Sequence, residues 1–230
     1  MLILALSLAP VVALFSYFYV RDKYEKEPKL LLLKVFTWGS LSVIPAIILG
    51  LALHRLLVVW AEPGSPLFIF IENFIVIALV EELVKFLVLM YIAYRHPAFN
   101  EPYDGMMYAI TASLGFAALE NILYVTRGGL PVAVARMLLA VPAHALFGAF
   151  MGYYAGRAKF STSRETYYLI YALLIPTLLH GTYDILLSMR RPEYALLVVP
   201  LSLFMWWRAL KQVRIAHSRS PFRPNLEPEK

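Results

Sequence analysis

Two adjacent carboxylates and a lysine, Glu81, Glu82 and Lys85, interrupt a run that is otherwise almost wholly apolar from Phe68 to Ala93. Charge in the middle of such a run costs about 2.5–3.5 kcal/mol per group on insertion scales, so ionisable residues there face a protein interior or a wet cavity and mark function. Three further apolar runs carry polar groups: Glu120 and Asn121 after Phe116, His144, and His180 with Asp184. Glu81 and Lys85, Phe116 and Glu120, and His180 and Asp184 are each four residues apart, which stacks each pair on one helix face. Glu81 and Glu82 point about 100° apart on a helix, so they divide into two roles.

Carboxylates and imidazoles gathered in a low-dielectric pocket are the materials for activating a water. A glutamate can take a proton from that water and return it to a leaving amine. Neutral histidines can bind zinc or another divalent metal, with carboxylate as a further ligand or as the base; protonated, they can instead stabilise an oxyanion. Asp184 can orient His180, and the Asn121 amide can donate to an oxyanion. Each group also has a plainer use. Asn121 can join helices, Asp184 can be half of a structural ion pair, and Lys85 can offset the glutamates. His144 lies near Gly148, Gly152 and Gly156, whose spacing lets helices pack closely.

The elements that must bring these groups together are membrane helices. The 230 residues are 60% hydrophobic and 16% charged, and the mean hydropathy is +0.66; that balance belongs to an all-α polytopic integral membrane protein. Apolar runs at about 2–20, 31–60, 67–94, 103–125, 130–156, 167–189 and 194–210 predict seven transmembrane helices, the second kinked at Pro45 and Gly50. Together they predict one helical domain over 1–216 and a disordered cytoplasmic tail over 217–230. With no cysteine, thiolate zinc sites and disulfides are excluded. The net charge of +6 comes from short loops and the tail, so it points to lipid and not to nucleic acid.

Basic residues concentrate at Arg21 to Lys29, Arg95, Arg157 to Arg164 and beyond Arg208, whereas Arg127, Arg190 and Arg191 lie on the other side. The first side is therefore cytoplasmic and the N-terminus external. On that topology Glu81, Glu82, His144 and His180 lie near mid-membrane and Glu120 nearer the outside, so four helices converge on a site that opens outward.

Signatures of other proteases are absent: there is no His-Glu-x-x-His, no Gly-x-Ser-x-Gly, and no Gly-x-Gly-Asp at Asp184. Glu81-Glu82-x-x-Lys85, Phe116-x-x-x-Glu120-Asn121, Ala143-His144-Ala145-x-x-Gly148 and His180-x-x-x-Asp184, in that order on four successive helices, resemble the PrsW family of intramembrane proteases. That family looks like a distant branch of the clan of CAAX-type prenyl-protein proteases and bacteriocin-processing enzymes. Glu120 departs from the histidine of the prenyl-protein branch.

The resemblance implies a bacterial cell-membrane peptidase that makes the first, extracytoplasmic cut in a single-pass anti-sigma factor under envelope stress. It implies Glu81 and Glu82 as catalytic or metal-binding, with Glu120, His144 and His180 completing the site. Glu81, Glu120, His144 and His180 are then the candidate ligands of zinc or another divalent metal. Glu82 is the choice for general base, with Glu81 binding metal or orienting the site. Two other classes compete: a proton-coupled transporter, because buried Glu, His and Lys also build proton relays, and a non-enzymatic membrane scaffold.

Overall fold

The computed structural model describes residues 2–189 and 192–224, and among these every regular element is helical. The helices are α1 (Leu2–Arg21), α2 (Lys29–Leu41), α3 (Val43–Trp60), α4 (Pro66–Ile71), α5 (Val80–Val88), α6 (Pro102–Ala135), α7 (Val141–Lys159), α8 (Glu165–Ser188), α9 (Pro192–Leu196) and α10 (Val198–Ser218). Wider π turns link α4 to α5 (Glu72–Leu79), extend α5 (Leu89–Tyr94) and precede α7 (Arg136–Ala140).

Local chemistry explains the breaks. Pro45 has no N–H to give the carbonyl of Leu41, and the chain divides there into α2 and α3 at Ser42, whose hydroxyl donates to Gly39 O at 2.7 Å. The stretch from α2 through α3 remains one apolar span of 32 residues. Ser65 caps α4 by accepting from the Phe68 N–H at 3.2 Å, with Pro66 following at the first helical position. Gly129, at φ 67° and ψ −157°, reverses the chain inside α6, a conformation that favours glycine.

α6 is the axis of the molecule. Every residue from Pro102 to Ala118 is buried, and α1, α2 and α7 all pack against it. Absent side chains make two of these contacts possible. A Cβ on Gly152 of α7 would meet the backbone of Gly105 and Met106, and one on Gly115 would meet the carbonyl of Phe36. Such close approach is how helices associate where lipid provides no hydrophobic drive. Ser40 Oγ donates to Gly115 O at 2.9 Å, and the Tyr103 hydroxyl to Phe18 O at 2.7 Å. Outward-facing side chains of α2 and α3, among them Leu33, Ile44, Ile48, Leu56 and Val59, are apolar and exposed, as a lipid-facing surface requires.

Four stretches among the described residues are long and apolar enough to cross a membrane: Lys29–Trp60, Pro102–Lys159, Glu165–Ser188 and Glu193–Ser218. This differs from the seven apolar runs for identifiable reasons. Pro102–Lys159 is continuous by hydrogen bonding but folds back at Gly129. Residues 66–94 are divided between α and π turns, and the apolar part of α1, Ala5–Arg21, is short. At the C-terminal end α10 runs through Ser218, past the run expected to stop at 210 and into the first two residues of the predicted tail, His217 and Ser218. Residues 225–230 of that tail, like Arg190 and Arg191, lie outside the described residues.

At the end of the bundle remote from Gly129, the loop after α1 docks on the start of α6. Asp104 Oδ2 accepts the N–H groups of Asn100 and Glu101 at 2.7 Å each, Glu27 bonds the Tyr108 hydroxyl, and Asp22 is buried beside them. Burial pushes the carboxyls of Asp22 and Glu101 up to about 6 and about 7.

Candidate active site

The helix that carries the two glutamates is positioned by the turn before it. Glu72–Leu79 is a π segment, a rare winding that adds a residue per turn and is concentrated at functional sites. Val80 resumes the α geometry, and Glu81 and Glu82 then diverge as their adjacency requires. Glu82 turns inward and is fully buried: its Oε1 accepts from Lys85 Nζ at 2.8 Å and sits 2.9 Å from His180 Nδ1. Glu81 stays partly open, with Oε2 3.3 Å from the same ammonium.

Lys85 is the hub. Its Nζ touches both glutamates, lies 3.1 Å from His144 Nδ1 and stands 4.2 Å over the Phe116 ring, so a fully buried cation is held by carboxylates, an imidazole and an aromatic face. His144 Nε2 is 2.9 Å from Glu120 Oε2, and His180 Nε2 is 3.3 Å from Asp184 Oδ2. The two imidazoles stand nearly perpendicular with centroids 5.5 Å apart, and Phe147 stacks on His180 at 4.7 Å.

All nine residues singled out in the sequence therefore join one network of side chains from α5, α6, α7 and α8. Asn121 joins it through a residue that the motif reading passed over. Arg136, in the π segment before α7, donates from Nη2 to Glu120 Oε2 at 2.6 Å and from Nε to Asn121 Oδ1 at 2.8 Å. The Asn121 Nδ2 donates to the carbonyl of Ser7 on α1, so both ends of this amide serve to position neighbours. An arginine inside an apolar run was the signal for Arg136; it belonged to no spaced motif.

Two cavities meet at the cluster. One, of about 330 Å³, is the more polar of the two and is lined in part by Glu81, Glu120, Arg136, His144, His180 and Asp184. The other, of about 620 Å³, is mostly apolar, runs between α3, the π segment and α6, and reaches Glu81 and Glu120 from the opposite side. Glu82, the residue chosen as base from the sequence, lines neither.

The donor set fits a divalent cation. One ligand atom each from Glu81, Glu120 and His144 lies within 4.8 Å of the others, and His180 is outside that group. Two carboxylates and an imidazole beside a cavity of about 330 Å³ form a three-ligand set that leaves a position open. Charge agrees: among the described residues Glu81, Glu82, Glu120 and Asp184 face two permanent cations, Lys85 and Arg136, which leaves two negative charges for a metal or for protons to balance. Glu82 Oε2, buried and without a partner among the described residues, is a further sign of an incomplete charge network.

The profile of the PrsW family intramembrane metalloproteases matches residues 27–208. Among its relatives, Protease PrsW of Geobacillus kaustophilus is 43% identical over 215 residues, 93% of this chain and 92% of the relative. Protease PrsW of Bacillus subtilis is 37% identical over 94% of this chain and 96% of its own, and that of Clostridioides difficile is 32% identical over 97% and 96%. No solved structure matches the chain.

Proposed function

Because the chain belongs to the PrsW family of intramembrane proteases, we propose that it hydrolyses a peptide bond of a single-pass membrane protein, an anti-sigma factor, with a water held in the polar cavity by Glu81. The observation that carries this reading is the junction of a polar and an apolar cavity at one pair of carboxylates, Glu81 and Glu120. Water and an apolar polypeptide can there reach the same atoms, which is the requirement for hydrolysis inside a bilayer.

In this scheme Glu81, partly open and touching both cavities, takes the proton of the attacking water and returns it to the departing amine. Glu82 serves differently from the sequence expectation: held by Lys85 and His180, it fixes the helix and keeps Lys85 against the site. Asp184 on one imidazole nitrogen and Glu82 on the other orient His180, whose ring borders the polar cavity. In the metal-bound form of this scheme Glu81 would be a ligand in place of the base: Glu81, Glu120 and His144 would hold a divalent metal, zinc among them, which when bound would supply Lewis-acid polarisation of the scissile carbonyl. Arg136 and Asn121 hold Glu120 in place.

The topology we infer has seven crossings: α1, α2 with α3, residues 66–94, the two arms of the hairpin reversed at Gly129, α8, and α10. The N-terminus is external and the C-terminus cytoplasmic. Residues 1–216 form a single domain, and the site opens to the outside, where the anti-sigma factor is cut as the first step of an envelope-stress response. The test is co-expression with a single-pass anti-sigma factor tagged at both ends. Cleavage by the wild type, lost in Glu81→Gln and retained in part by Glu82→Gln at equal membrane level, is expected. Full cleavage by Glu81→Gln would remove Glu81 as base.

A further inference from the structure

The apolar cavity is built like a track. On α3 its wall steps through Val43, Ala46, Ile47, Gly50, Leu51 and His54, and on α6 through Phe116, Glu120, Leu123, Tyr124 and Arg127. Both series follow the i, i+3, i+4, i+7 spacing of one helix face. The track therefore runs parallel to the helices, from the level of Glu120 to the end of the bundle where Gly129 reverses the chain. Its rim holds three ionisable groups. Glu72 is engaged by His54, with Nδ1 2.9 Å from Oε1, whereas Arg127 is exposed and makes no hydrogen bond or ion pair among the described residues. The rim is thus apolar below and carries one uncompensated cation above.

We propose that this groove docks the segment of the single-pass substrate around the scissile bond, in extended form, and that Arg127 selects an aspartate or glutamate on its external side. The inference rests on the protease reading for the identity of the occupant. Extension follows from chemistry, because a helical amide keeps its carbonyl hydrogen-bonded and shielded. The position of the acidic residue follows from geometry. Arg127 stands seven residues beyond Glu120 on the same face, about 10 Å along the helix at 1.5 Å per residue. An extended chain covers that distance in about three residues. The matched carboxylate would thus lie about three residues from the cut. The occupant is a polypeptide because the groove runs into Glu81 and Glu120, where a hydrolysable bond must be delivered, and an external acid on it is the charge complement of Arg127.

The test uses the full chain in nanodiscs with benzoylphenylalanine in place of Leu51 on the groove wall. The probes are two synthetic peptides, each with an apolar span of about 20 Leu and Ala residues and a short polar external segment, one carrying a single Asp and the other a single Lys at the same position. On irradiation the Asp probe is expected to crosslink at least five-fold more than the Lys probe, and Arg127→Glu is expected to invert that preference. Equal crosslinking of the two probes, a preference unchanged in Arg127→Glu, or no crosslink to either probe would overturn the proposal, the last outcome being a groove filled by lipid alone. Cleavage is scored on the same gel. Charge-selective crosslinking without any cleavage would count against the protease reading and leave the groove assignment standing, and cleavage indifferent to the probe's charge would do the reverse.

Discussion

Among the residues of the cluster, Lys85 has the largest structural burden. It is fully buried, and it touches two carboxylates, an imidazole and a phenyl ring. Removing one partner of a buried ion pair leaves the other charge uncompensated, a loss of about 3–5 kcal/mol. Lys85→Met is therefore expected to lower the unfolding midpoint strongly in detergent, and the double variant with Glu82→Gln to recover much of that loss, because the stranded charge is gone. A double variant as unstable as Lys85→Met would show that Glu82 is not the charge Lys85 compensates. Glu81→Gln, by contrast, keeps the shape of a partly open side chain. It is expected to retain the wild-type midpoint while cleavage falls about 10²–10⁴-fold, the usual contribution of a general base.

At the level of elements, the packing of α7 on α6 and the docking of the loop after α1 each yield an expectation. Gly152 admits α7 against the backbone of Gly105 and Met106, and no side chain can yield there, so Gly152→Leu must push two helices apart. Overpacking of this kind costs about 1–3 kcal/mol. It would be read as a lowered midpoint together with lost cleavage, since His144 stands on the displaced helix. The docked loop responds to pH instead. Asp22 and Glu101 have carboxyls raised to about 6 and about 7 by burial, from ordinary values of 3.8 and 4.5. The folded state therefore binds their protons more tightly than the unfolded chain does, so their stabilising effect is complete below about pH 4 and is lost as the pH rises to about 7. Protection of the 22–28 and 100–104 amides, taken relative to their intrinsic exchange rate at each pH, should fall across that window. Asp22→Asn and Glu101→Gln should flatten the dependence, and a pH profile unaltered by both would contradict it.

Across the whole molecule, the two cavities, the long buried helix and the charge cluster form one arrangement. α6 supplies the core from Pro102 to Ala118, then emerges to place Glu120 at the cavity junction and Arg127 at the groove rim. If Glu81, Glu120 and His144 hold a metal, purified protein should carry about one divalent ion per chain. Chelation should abolish cleavage, and re-addition of the metal should restore it. Glu120→Gln and His144→Ala should lower the metal content, whereas His180→Ala, outside the close triad, should impair cleavage with metal retained. Equal metal loss in all three variants would place His180 among the ligands.

The helical class, the membrane setting, the family and the residues of the cluster were all legible in the chain, because intramembrane charge is costly enough to be rare and the four motifs kept helical spacing. The break near Pro45 was legible as an expected kink, although Gly50, expected to share it, lies inside α3; the turn between two apolar runs was legible as the gap from 125 to 130, without Gly129 being singled out. What the chain alone left open was direction. Adjacency separates Glu81 from Glu82 by about 100° but does not say which faces water; the π winding of Glu72–Leu79 and the pull of Lys85 and His180 decide that. Arg136 belongs to no spaced motif, and its place beside Glu120 depends on the fold-back that brings residue 136 to residue 120. The tertiary structure also turned Asn121 toward Ser7 and Arg136 and opened a groove from Arg127 to Glu120. A sequence periodicity can specify which face of a helix is polar, but which neighbour meets that face depends on how several helices pack at once.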